Sequence, residues 1–233
     1  MTKVLCVSGG LDSTIAWFYL KKPKSVYVHL KHRYEKKEEL AIRRIRNVVP
    51  EFDVVQLDGP DMGRFESGAN AFIPNRNLIL ATLAANYGNE INIVGIKGDR
   101  VVDKSPIAFA AMAACLNAIR KEGSRKLKVT SPFWKMTKTS IVRWALDNVP
   151  DAIDIFRASV SCYSPIGVHC GRCRSCFRKW IALEAAGLES YSWFDLDPRK
   201  SLKLRRYYRK RLHTMELQRA KDTIWVFKKY SLR

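Results

Sequence analysis

Two groups of residues in this 233-residue chain have types and spacing that could do chemistry. The first is the segment Ser8-Gly9-Gly10-Leu11-Asp12-Ser13, which lies between an apolar run at 3–7 and a helical pattern. Two glycines let backbone N–H groups approach an anion, and the start of a helix adds a partial positive charge. Serine hydroxyls donate to phosphate oxygens, and Asp12 can either cap the helix or hold Mg²⁺. The segment therefore predicts a phosphate-binding loop.

This loop differs from the two commonest nucleotide-binding motifs. It follows neither G-x-x-x-x-G-K-[ST] nor G-x-G-x-x-G, which disfavours ordinary kinases, GTPases and NAD dehydrogenases. It lies at the first strand-to-helix turn of the chain, and open α/β sheets bind ligands at the carboxyl ends of their strands. A purely structural turn with a capping aspartate is the alternative interpretation.

The second group consists of four of the six cysteines, namely Cys162, Cys170, Cys173 and Cys176. Two overlapping C-x₂-C steps and a cysteine eight residues upstream can close a tetrahedral thiolate cage, which predicts a structural Zn²⁺ site. Four thiolates leave no position for a water molecule, so this metal would organise the fold and perform no hydrolysis. A [4Fe–4S] cluster is the rival hypothesis, because it also binds four cysteines.

Other thiol and imidazole groups have less specific positions. His169, beside Cys170, could replace a cysteine as ligand, although a position next to the metal or at the surface is the preferred interpretation. Cys6 and Cys115 fall in an apolar strand pattern and in an alanine-rich helical pattern. We expect both to be buried structural thiols.

Alternating strands and helices must position both groups. Apolar runs predict five strands, at residues 3–7, 25–30, 53–57, 91–95 and 126–131. Helical periodicity predicts helices at residues 11–20, 35–48, 75–87, 108–121 and 137–148. The candidates for the buried side of the second helix are Leu40, Ile42, Ile45 and Val48. Such alternation implies parallel pairing through right-handed crossovers. The predicted fold is a doubly wound α/β fold, with a mainly parallel five-stranded sheet and helices on both faces.

The alternation ends near residue 150, where a small Cys₄ zinc-binding appendage is predicted to begin. Beyond it, residues 199–233 hold 13 Lys and Arg against Glu216 and Asp222, a net charge of +11 out of the total of +20. Cations displace counterions from phosphate backbones and aromatic rings stack on bases, so this segment could contact a nucleic acid. A contact with a protein would use the same charges. The alternative is a solvated helix followed by a last strand, both packed on the domain.

Composition limits the class of protein. Hydrophobic residues make up 47% and aromatic residues 11% of the chain, which excludes disorder of the whole chain. No stretch approaches the roughly 20 apolar residues of a membrane helix, and the first residues lack the layout of a signal peptide. We therefore expect a cytoplasmic protein without a membrane contact.

The motifs together resemble a known family. The pattern S-G-G-x-D-S resembles the PP-loop of N-type ATP pyrophosphatases. Further matches are Pro74-x-Arg76-Asn77, Gly95 and Asp99, Pro132 with Thr137-Lys138 and Ile141, and the array Cys-x₇-Cys-Gly-x-Cys-x-Ser-Cys-x-x-Arg, which ends at Arg178. In this order they resemble the 7-cyano-7-deazaguanine (preQ0) synthase family over roughly residues 3–185.

The resemblance implies a reaction and its participants. Family members convert 7-carboxy-7-deazaguanine, ammonia and ATP into a nitrile through two adenylations, and they are commonly homodimers. The predicted organisation is a PP-loop domain at 1–150, a Cys₄ metal-binding region at 151–190 and a basic extension at 191–233, and the resemblance does not cover the extension. Expected ligands are ATP, Mg²⁺ and Zn²⁺, together with the small carboxylate substrate.

The resemblance also implies roles for individual residues. Pyrophosphate would be held by Ser8, Gly9, Gly10, Leu11, Asp12 and Ser13. The nucleotide pocket would include Arg76, Asn77 and Gly95. Lys138 would neutralise phosphate charge and, with Asp12 and Ser13, act in catalysis. The substrate would contact Asp99, Asp103 and Phe109. Residues 98–109 nevertheless lack the family's Tyr-Pro-Asp-Cys-Arg stretch.

Two other functions are compatible with the same residues. One is a related PP-loop ATP pyrophosphatase that modifies a nucleic acid or a protein directly, for example by thiolation. Such enzymes use a cysteine pair near the active loops, and Cys115 is the only helical cysteine outside the array. The other is a non-catalytic, zinc-bearing nucleic-acid-binding protein, which the intact phosphate loop disfavours.

Overall fold

The structure, a computed structural model, describes residues 1–67, 72–99, 101–162, 164 and 169–232. Arg100, and all but one of the residues between Cys162 and His169, lie outside the described part of the chain. The statements that follow concern the described residues.

The described residues form one sheet of five strands in which every neighbouring pair is parallel. The strands are β1 (Lys3–Cys6), β2 (Lys24–His29), β3 (Val54–Asp58), β4 (Glu90–Ile93) and β5 (Lys128–Thr130). Their order across the sheet is β3-β2-β1-β4-β5. The predicted α/β fold is confirmed.

Helices cover both faces of the sheet. The helices are α1 (Leu11–Tyr19), α2 (Glu35–Val48), α3 (Arg76–Ala84), α4 (Pro106–Ala118), α5 (Lys138–Asn148), α6 (Ala152–Ala158), α7 (Arg174–Ala185), α8 (Leu202–Lys210) and α9 (Leu217–Lys229). Helices α1, α2, α5 and α6 share one hydrophobic core, and α3 and α4 share the core on the opposite face. The predicted helices agree with α1 to α5 within three residues at each end.

Strand β1 shows why both faces are covered. Leu5 and Val7 point into the core of α1 and α5, whereas Val4 and Cys6 point into the core of α3 and α4. Successive side chains of a strand alternate between faces, so an unbroken apolar run has to be covered on both sides.

The strand order creates a crevice beside β1. The chain runs from β1 through β2 to β3 on one side, and β4 then returns to the other side of β1. Loops that leave the carboxyl ends of β1 and β4 therefore diverge, and doubly wound sheets bind ligands at such a point. The phosphate loop follows β1, so the topology places it at this crevice.

A third core lies beyond the sheet, where α7 packs against α8 and α9. It contains Phe177 and Trp180 of α7, Tyr208 of α8, and Val226 and Phe227 of α9, all buried. The last strand considered for the C-terminal segment is wrong, because residues 217–229 form a helix. The buried positions of that helix, 222, 223, 226 and 227, recur with helical spacing.

Two expectations about single residues are wrong. Leu40 is 47% exposed, because it lies two positions from Ile42 and thus on nearly the opposite side of α2. Cys115 is exposed on α4, whereas Cys6 is buried as expected.

The expected boundary at residue 150 stays a prediction. In the structure, α6 packs through Ile155 and Phe156 into the same core as α1 and α5. No helix of the described residues is long and apolar enough to cross a membrane.

Glu184 of α7 attaches α9 to the rest of the molecule. Its side chain is fully buried and accepts five hydrogen bonds, from Trp180 Nε1, Ser190 N, Ser190 Oγ, Lys229 Nζ and Tyr230 Oη. The shortest is the bond from Tyr230, at 2.7 Å. A buried carboxylate with this many donors requires all of them to remain in place.

We therefore expect Glu184→Ala to lower the free energy of unfolding by about 2–4 kcal/mol, because buried donors lose their acceptor. Urea denaturation followed by circular dichroism measures the change. Glu189→Ala, at an exposed position a few residues further on, is the control and should change stability by less than about 0.5 kcal/mol. Equal stability of the two variants would contradict this role of Glu184.

Candidate active site

The crevice beside β1 contains two adjoining cavities. The inner cavity, of about 50 Å³, has walls of mixed character, in which Val28, Leu30, Leu80 and Ile93 form an apolar part. The outer cavity, of about 220 Å³, is lined mostly by polar and charged side chains. Both are bordered by a shared set of residues: Ser8, Ser13, Glu38, Arg76, Val94 and Lys104. A ligand with one apolar ring and one charged end would match this division.

The backbone of the phosphate loop needs glycine at its first turn. Gly9 has φ +61°, and a Cβ atom there would lie 2.8 Å from the Cβ of Ala41 and 2.8 Å from the carbonyl oxygen of Glu38. Gly10 is the N-cap residue of α1 and supplies no side-chain cap. The N–H groups of the first helical turn lack intrahelical acceptors, so they can donate to an anion.

Two serines close the loop. Ser8 N donates to Ser13 Oγ at 3.3 Å, and Ser13 Oγ donates to the carbonyl oxygen of Gly10 at 3.1 Å. Both serines line both cavities. Their hydroxyl groups thus hold the loop in shape beside the space where a ligand would bind.

Asp12 pairs with Lys138 across the cleft. Both carboxylate oxygens of Asp12 lie 2.6 Å from Lys138 Nζ, and the lysine side chain is only 12% exposed. The structure shows no capping hydrogen bond from Asp12, so the capping interpretation is wrong. Lys138 is the first residue of α5, and its neighbour Thr137 caps that helix by accepting from Ser140 N.

Arg76 and Asn77 open α3 beside the loop. Arg76 Nη1 donates to Tyr34 Oη at 2.7 Å, and Arg76 lines both cavities. Asn77 is buried and donates to the carbonyl oxygen of Asp103 at 3.3 Å. The Oδ1 atom of Asn77 is buried without a hydrogen-bond partner, although it borders the inner cavity wall. An unpaired amide oxygen at this position can accept from a ligand.

Asp99 follows β4 and pairs with Arg178 of α7 at 2.8 Å. Burial alone would raise the pKa of Asp99, but the cations of Arg178 and Lys104 keep that pKa below its usual value. Burial in turn would lower the pKa of Arg178, and the carboxylates of Asp99 and Asp12 raise it. Both side chains are therefore charged, and both line the outer cavity.

Lys104 is a residue of the cleft that the sequence motifs did not indicate. It lines both cavities, and its pKa is lowered, first by burial and then by the nearby guanidinium of Arg76. Tyr34 and Lys37 were also missed. The sequence gives only a weak indication of these three residues. Tyr34 and Lys37 follow the second strand, and Lys104 lies within the divergent stretch 98–109.

The other predicted site residues lie further from the open space. Gly95 packs against Trp134, whose ring would lie 2.6 Å from an added Cβ atom. Phe109 is 1% exposed and also packs against Trp134, with ring centroids 5.0 Å apart. Asp103 has a buried Oδ1 without a partner. The structure thus brings together the loop, Arg76, Lys138 and Asp99, and leaves Phe109 in the core.

The outer cavity carries an excess of positive charge. The basic residues that line it are Lys37, Arg76, Lys104, Lys138 and Arg178, and the acidic ones are Asp12, Glu38 and Asp99. Five cations against three carboxylates leave a surplus of two. A cleft of this composition attracts a polyanion such as a nucleoside triphosphate.

The four cysteines of the array meet beside the phosphate loop. Their Sγ atoms all lie within 4.8 Å of one another, and none forms a disulfide. The chain reaches this point because Val160 N donates to the carbonyl oxygen of Gly9 at 2.8 Å. Two residues later, Cys162 lines the outer cavity. The metal-binding array and the loop are thus joined by the backbone.

The thiol cluster has the geometry of a metal site. Sulfur atoms at about 2.3 Å from a tetrahedral metal lie about 3.8 Å apart, which fits within the observed spread. Ser164 N points at Cys162 Sγ and Cys176 N points at Cys173 Sγ, at 3.4 and 3.3 Å. Hydrogen bonds from Cys173 and Cys176 lower the pKa of Cys162, which favours a thiolate. The cluster could therefore hold a metal ion.

His169 lies beside this cluster and contacts a lysine. Its Nε2 is 3.2 Å from Lys179 Nζ, and its ring packs against Phe194. Burial, followed by the charge of Lys179, lowers the pKa of His169 to about 3, so the ring is neutral. A neutral nitrogen can accept the hydrogen bond of the lysine.

Helix α9 supports the cleft from behind. Asp222 is buried and accepts a hydrogen bond of 2.6 Å from Thr139 Oγ1, next to Lys138. Glu216, the N-cap residue of α9, pairs with Lys97 at 3.1 Å. The pKa of Arg219 is lowered, first by burial and then by the positive charge of nearby Arg178.

A family comparison identifies the group of proteins to which this chain belongs. The sequence model of the family described as "Queuosine biosynthesis protein QueC" matches residues 60–187, more than half of the 233 residues. The chain belongs to the QueC family. The resemblance drawn from the sequence is confirmed, and with it the expectation that the chain is an enzyme.

Several relatives with low sequence identity to this chain share the name 7-cyano-7-deazaguanine synthase. A 7-cyano-7-deazaguanine synthase of Persephonella marina is 29% identical over 223 residues, which cover 82% of this chain and 95% of the relative. That of Geobacter sulfurreducens is 28% identical over 204 residues, covering 74% and 84%. That of Methanocaldococcus jannaschii is 22% identical over 228 residues, covering 81% and 97%. The QueC match ends at residue 187, so α8 and α9 lie outside it.

We expect the purified protein to contain one metal ion per chain, because four thiols converge without a disulfide. Elemental analysis measures the content. The double variant Cys173→Ser/Cys176→Ser should lose the metal, whereas Cys115→Ser, at an exposed position of α4, should keep it. Equal metal content in the two variants would contradict the assignment of the ligands.

We expect Thr139→Val to lower kcat about tenfold or more, because the lost bond to Asp222 frees the start of α5 and moves Lys138. Thr139→Ser retains the hydroxyl group and should retain kcat. Steady-state kinetics separates the two variants. A loss of activity in both, or in neither, would contradict a positioning role for the hydroxyl group.

Proposed function

We propose that the chain is a 7-cyano-7-deazaguanine synthase, which converts 7-carboxy-7-deazaguanine, ammonia and ATP into the nitrile with release of AMP and pyrophosphate. The observation that carries the proposal is the convergence of the phosphate loop with Lys138, Arg76 and Arg178 in one cleft. Membership in the QueC family, and relatives named as such synthases, support it.

ATP would bind with its base towards the inner cavity. The aliphatic part of its wall suits the face of a ring, and the unpaired oxygen of Asn77 can accept a hydrogen bond from an amino group. The phosphates would then lie against Gly9, Gly10 and the first turn of α1. Arg76 borders both cavities and could contact the nucleotide between its base and its phosphates.

The chemistry begins with an attack of the substrate carboxylate on the α-phosphate of ATP. Pyrophosphate leaves, and the negative charge that grows on it is stabilised by loop N–H groups and by Lys138. Asp12 offers the carboxylate oxygens that Mg²⁺ prefers, so it would hold the ion, which would supply positive charge beside the phosphates. Lys138, which bonds both oxygens of Asp12, would supply a second positive charge there.

Ammonia then attacks the acyl carbon and displaces AMP, which yields an amide. A second ATP adenylates the amide oxygen, and loss of AMP with that oxygen leaves the nitrile. The cleft thus acts twice on substrates of similar size. For catalysis, the substrate carboxylate and the phosphates of ATP have to be held at bonding distance although both are anions. The excess of positive charge in the outer cavity would reduce their repulsion.

The carboxylate substrate would bind on the side of the cleft formed after β4. Asp99 and Arg178 lie there as a charged pair, and Asp103 has a free oxygen. Asp99 and Asp103 would accept hydrogen bonds from the ring N–H and amino groups of a deazaguanine. Phe109 would support this wall from the core through Trp134.

The four cysteines would hold Zn²⁺ in a structural role. Tetrahedral thiolate coordination suits zinc and leaves no open position for catalysis. The bond from Val160 to Gly9 would connect this zinc site to the shape of the loop. An iron–sulfur cluster would instead contain iron and sulfide, which elemental analysis distinguishes.

Two further expectations concern assembly and location. A homodimer would bury the apolar side chains of Val102 and Ile107, which are 87% and 83% exposed beside the start of α4. An enzyme that consumes ATP and a small metabolite would act in the cytoplasm, where both are supplied.

Thiolation of a nucleic acid is less well supported. Cys6 borders the inner cavity, but burial raises its pKa to about 12, so it stays protonated and is a poor nucleophile. The other cysteine outside the array, Cys115, is exposed on α4. A catalytic cysteine pair has no counterpart among the described residues of the cleft.

The test is incubation of the purified chain with ATP, Mg²⁺, ammonium and 7-carboxy-7-deazaguanine. We expect AMP to form and the product mass to fall by the difference between a carboxyl and a nitrile group. Release of AMP without that product would keep the ATP chemistry and reject the substrate. Absence of AMP with every component present would reject the proposal.

Two variants make the assay specific. Asp12→Asn removes the charge that holds Lys138 and should lower AMP formation at least about a hundredfold. Asp147→Asn, at an exposed position near the end of α5, should leave the rate unchanged. Equal rates for the two variants would show that Asp12 has no part in the reaction.

A further inference from the structure

Part of the basic segment 199–233 carries its charges on the outside of the molecule. On α8, Lys203, Arg206 and Lys210 are exposed and recur at spacings of three and four residues, so they share one side of the helix. We call these three residues the basic face. Leu204 and Tyr208 lie on the opposite side of α8 and are buried against α7, where the Tyr208 and Phe177 rings are 4.8 Å apart.

The acidic residues of the same segment point the other way. Glu216 pairs with Lys97, and Asp222 bonds Thr139, so both face the enzyme body. Among the described residues, no carboxylate lies within 4.0 Å of a nitrogen of the basic face. Within the described part of the chain, the positive charge of the basic face therefore has no carboxylate partner, and its three side chains are exposed.

The charge continues from α8 to the start of α7. The guanidinium groups of Arg174 and Arg211 lie 5.6 and 4.6 Å from the centre of the Tyr207 ring. Arg172, two residues before Arg174, is also exposed. Exposed arginines and a tyrosine ring thus border the basic face on the side of the cysteine array.

We propose that the basic face of α8 binds the phosphodiester backbone of a nucleic acid. Lysine and arginine side chains along one helix side neutralise successive phosphates and release counterions. Tyr207, with its flanking arginines, offers a surface on which a base can stack. The proposal is independent of the synthase reaction, because the basic face is outside the residues that line the cleft.

A membrane surface is a poorer fit to the same charges. A helix that lies on a membrane inserts its apolar side, whereas the apolar side of α8 is already buried against α7. An acidic protein would be bound by shape as well as charge, and the row of three long, flexible cations shows no pocket. The uniform positive row fits a polyanion with regular spacing best.

The test measures binding of fluorescently labelled oligonucleotides to the full chain by anisotropy, over a range of salt concentrations. The probes are a single-stranded RNA, a single-stranded DNA and a DNA duplex of equal length. The test variant is Lys203→Gln/Arg206→Gln/Lys210→Gln. The matched control is Lys121→Gln/Arg125→Gln/Lys126→Gln, which removes the same charges from exposed positions between α4 and β5.

We expect the wild-type chain to bind at least one probe with an affinity that falls steeply with salt. The α8 variant should bind at least tenfold more weakly, and its log–log salt slope should be smaller by about 2–3, since each lost phosphate contact contributes about 0.7–0.9. The control variant should stay within about twofold of wild type. Unchanged circular dichroism spectra of both variants exclude misfolding as the cause.

Two outcomes would overturn the proposal. One is absence of binding to every probe at low salt, whether or not vesicles of anionic lipid are bound. The other is an equal loss in both variants, which would assign the binding to net charge alone. A preference among the three probes would instead identify which nucleic acid the basic face accepts.

Discussion

Mutual repulsion among cations is the constraint on which this structure depends. Five basic side chains line one cavity, and two of them, Lys138 and Arg178, are held by carboxylates from distant parts of the chain. Asp12 at the start of α1 holds Lys138 of α5, and Asp99 after β4 holds Arg178 of α7. Each pair joins segments far apart in sequence, so the charges of the site also fasten α5 and α7 to the sheet.

The same pairs connect the cleft to the parts of the chain that lie outside the family match. Thr139 follows Lys138 and bonds Asp222, and Arg178 lies beside Arg219 and Tyr208. Helices α8 and α9 are thus built into the back wall of the site. The C-terminal extension cannot be separated from the enzyme as a simple tail, although its exposed side carries a different chemistry.

The sequence predicted the parts of this architecture that depend on local pattern. The apolar run of β1, the two glycines and the start of α1 are contiguous, so the loop and its strand could be predicted together. The five parallel strands followed from alternation alone. The cysteine array was also visible, because its ligands lie within 15 residues of sequence.

Features that depend on packing between distant segments were not predictable in this way. Lys104 and Tyr34 reach the cleft only because loops fold over the sheet, and neither belongs to a recognisable motif. Phe109 was expected near the substrate and lies in the core, since helix rotation decides which side of α4 faces the sheet. Residues 217–229 contain enough aromatic and β-branched side chains to suggest a strand, and contacts with α7 make them a helix.

The hydrogen bond between Val160 and Gly9 also has a consequence for the order of events during synthesis. The loop is synthesised well before its backbone partner, which follows some 150 positions later in the chain. Lys138, the partner of Asp12, is likewise synthesised long after Asp12. Such non-local closure delays folding until the contacting segments are available. The nascent chain therefore lacks this support of the loop until translation has passed Val160.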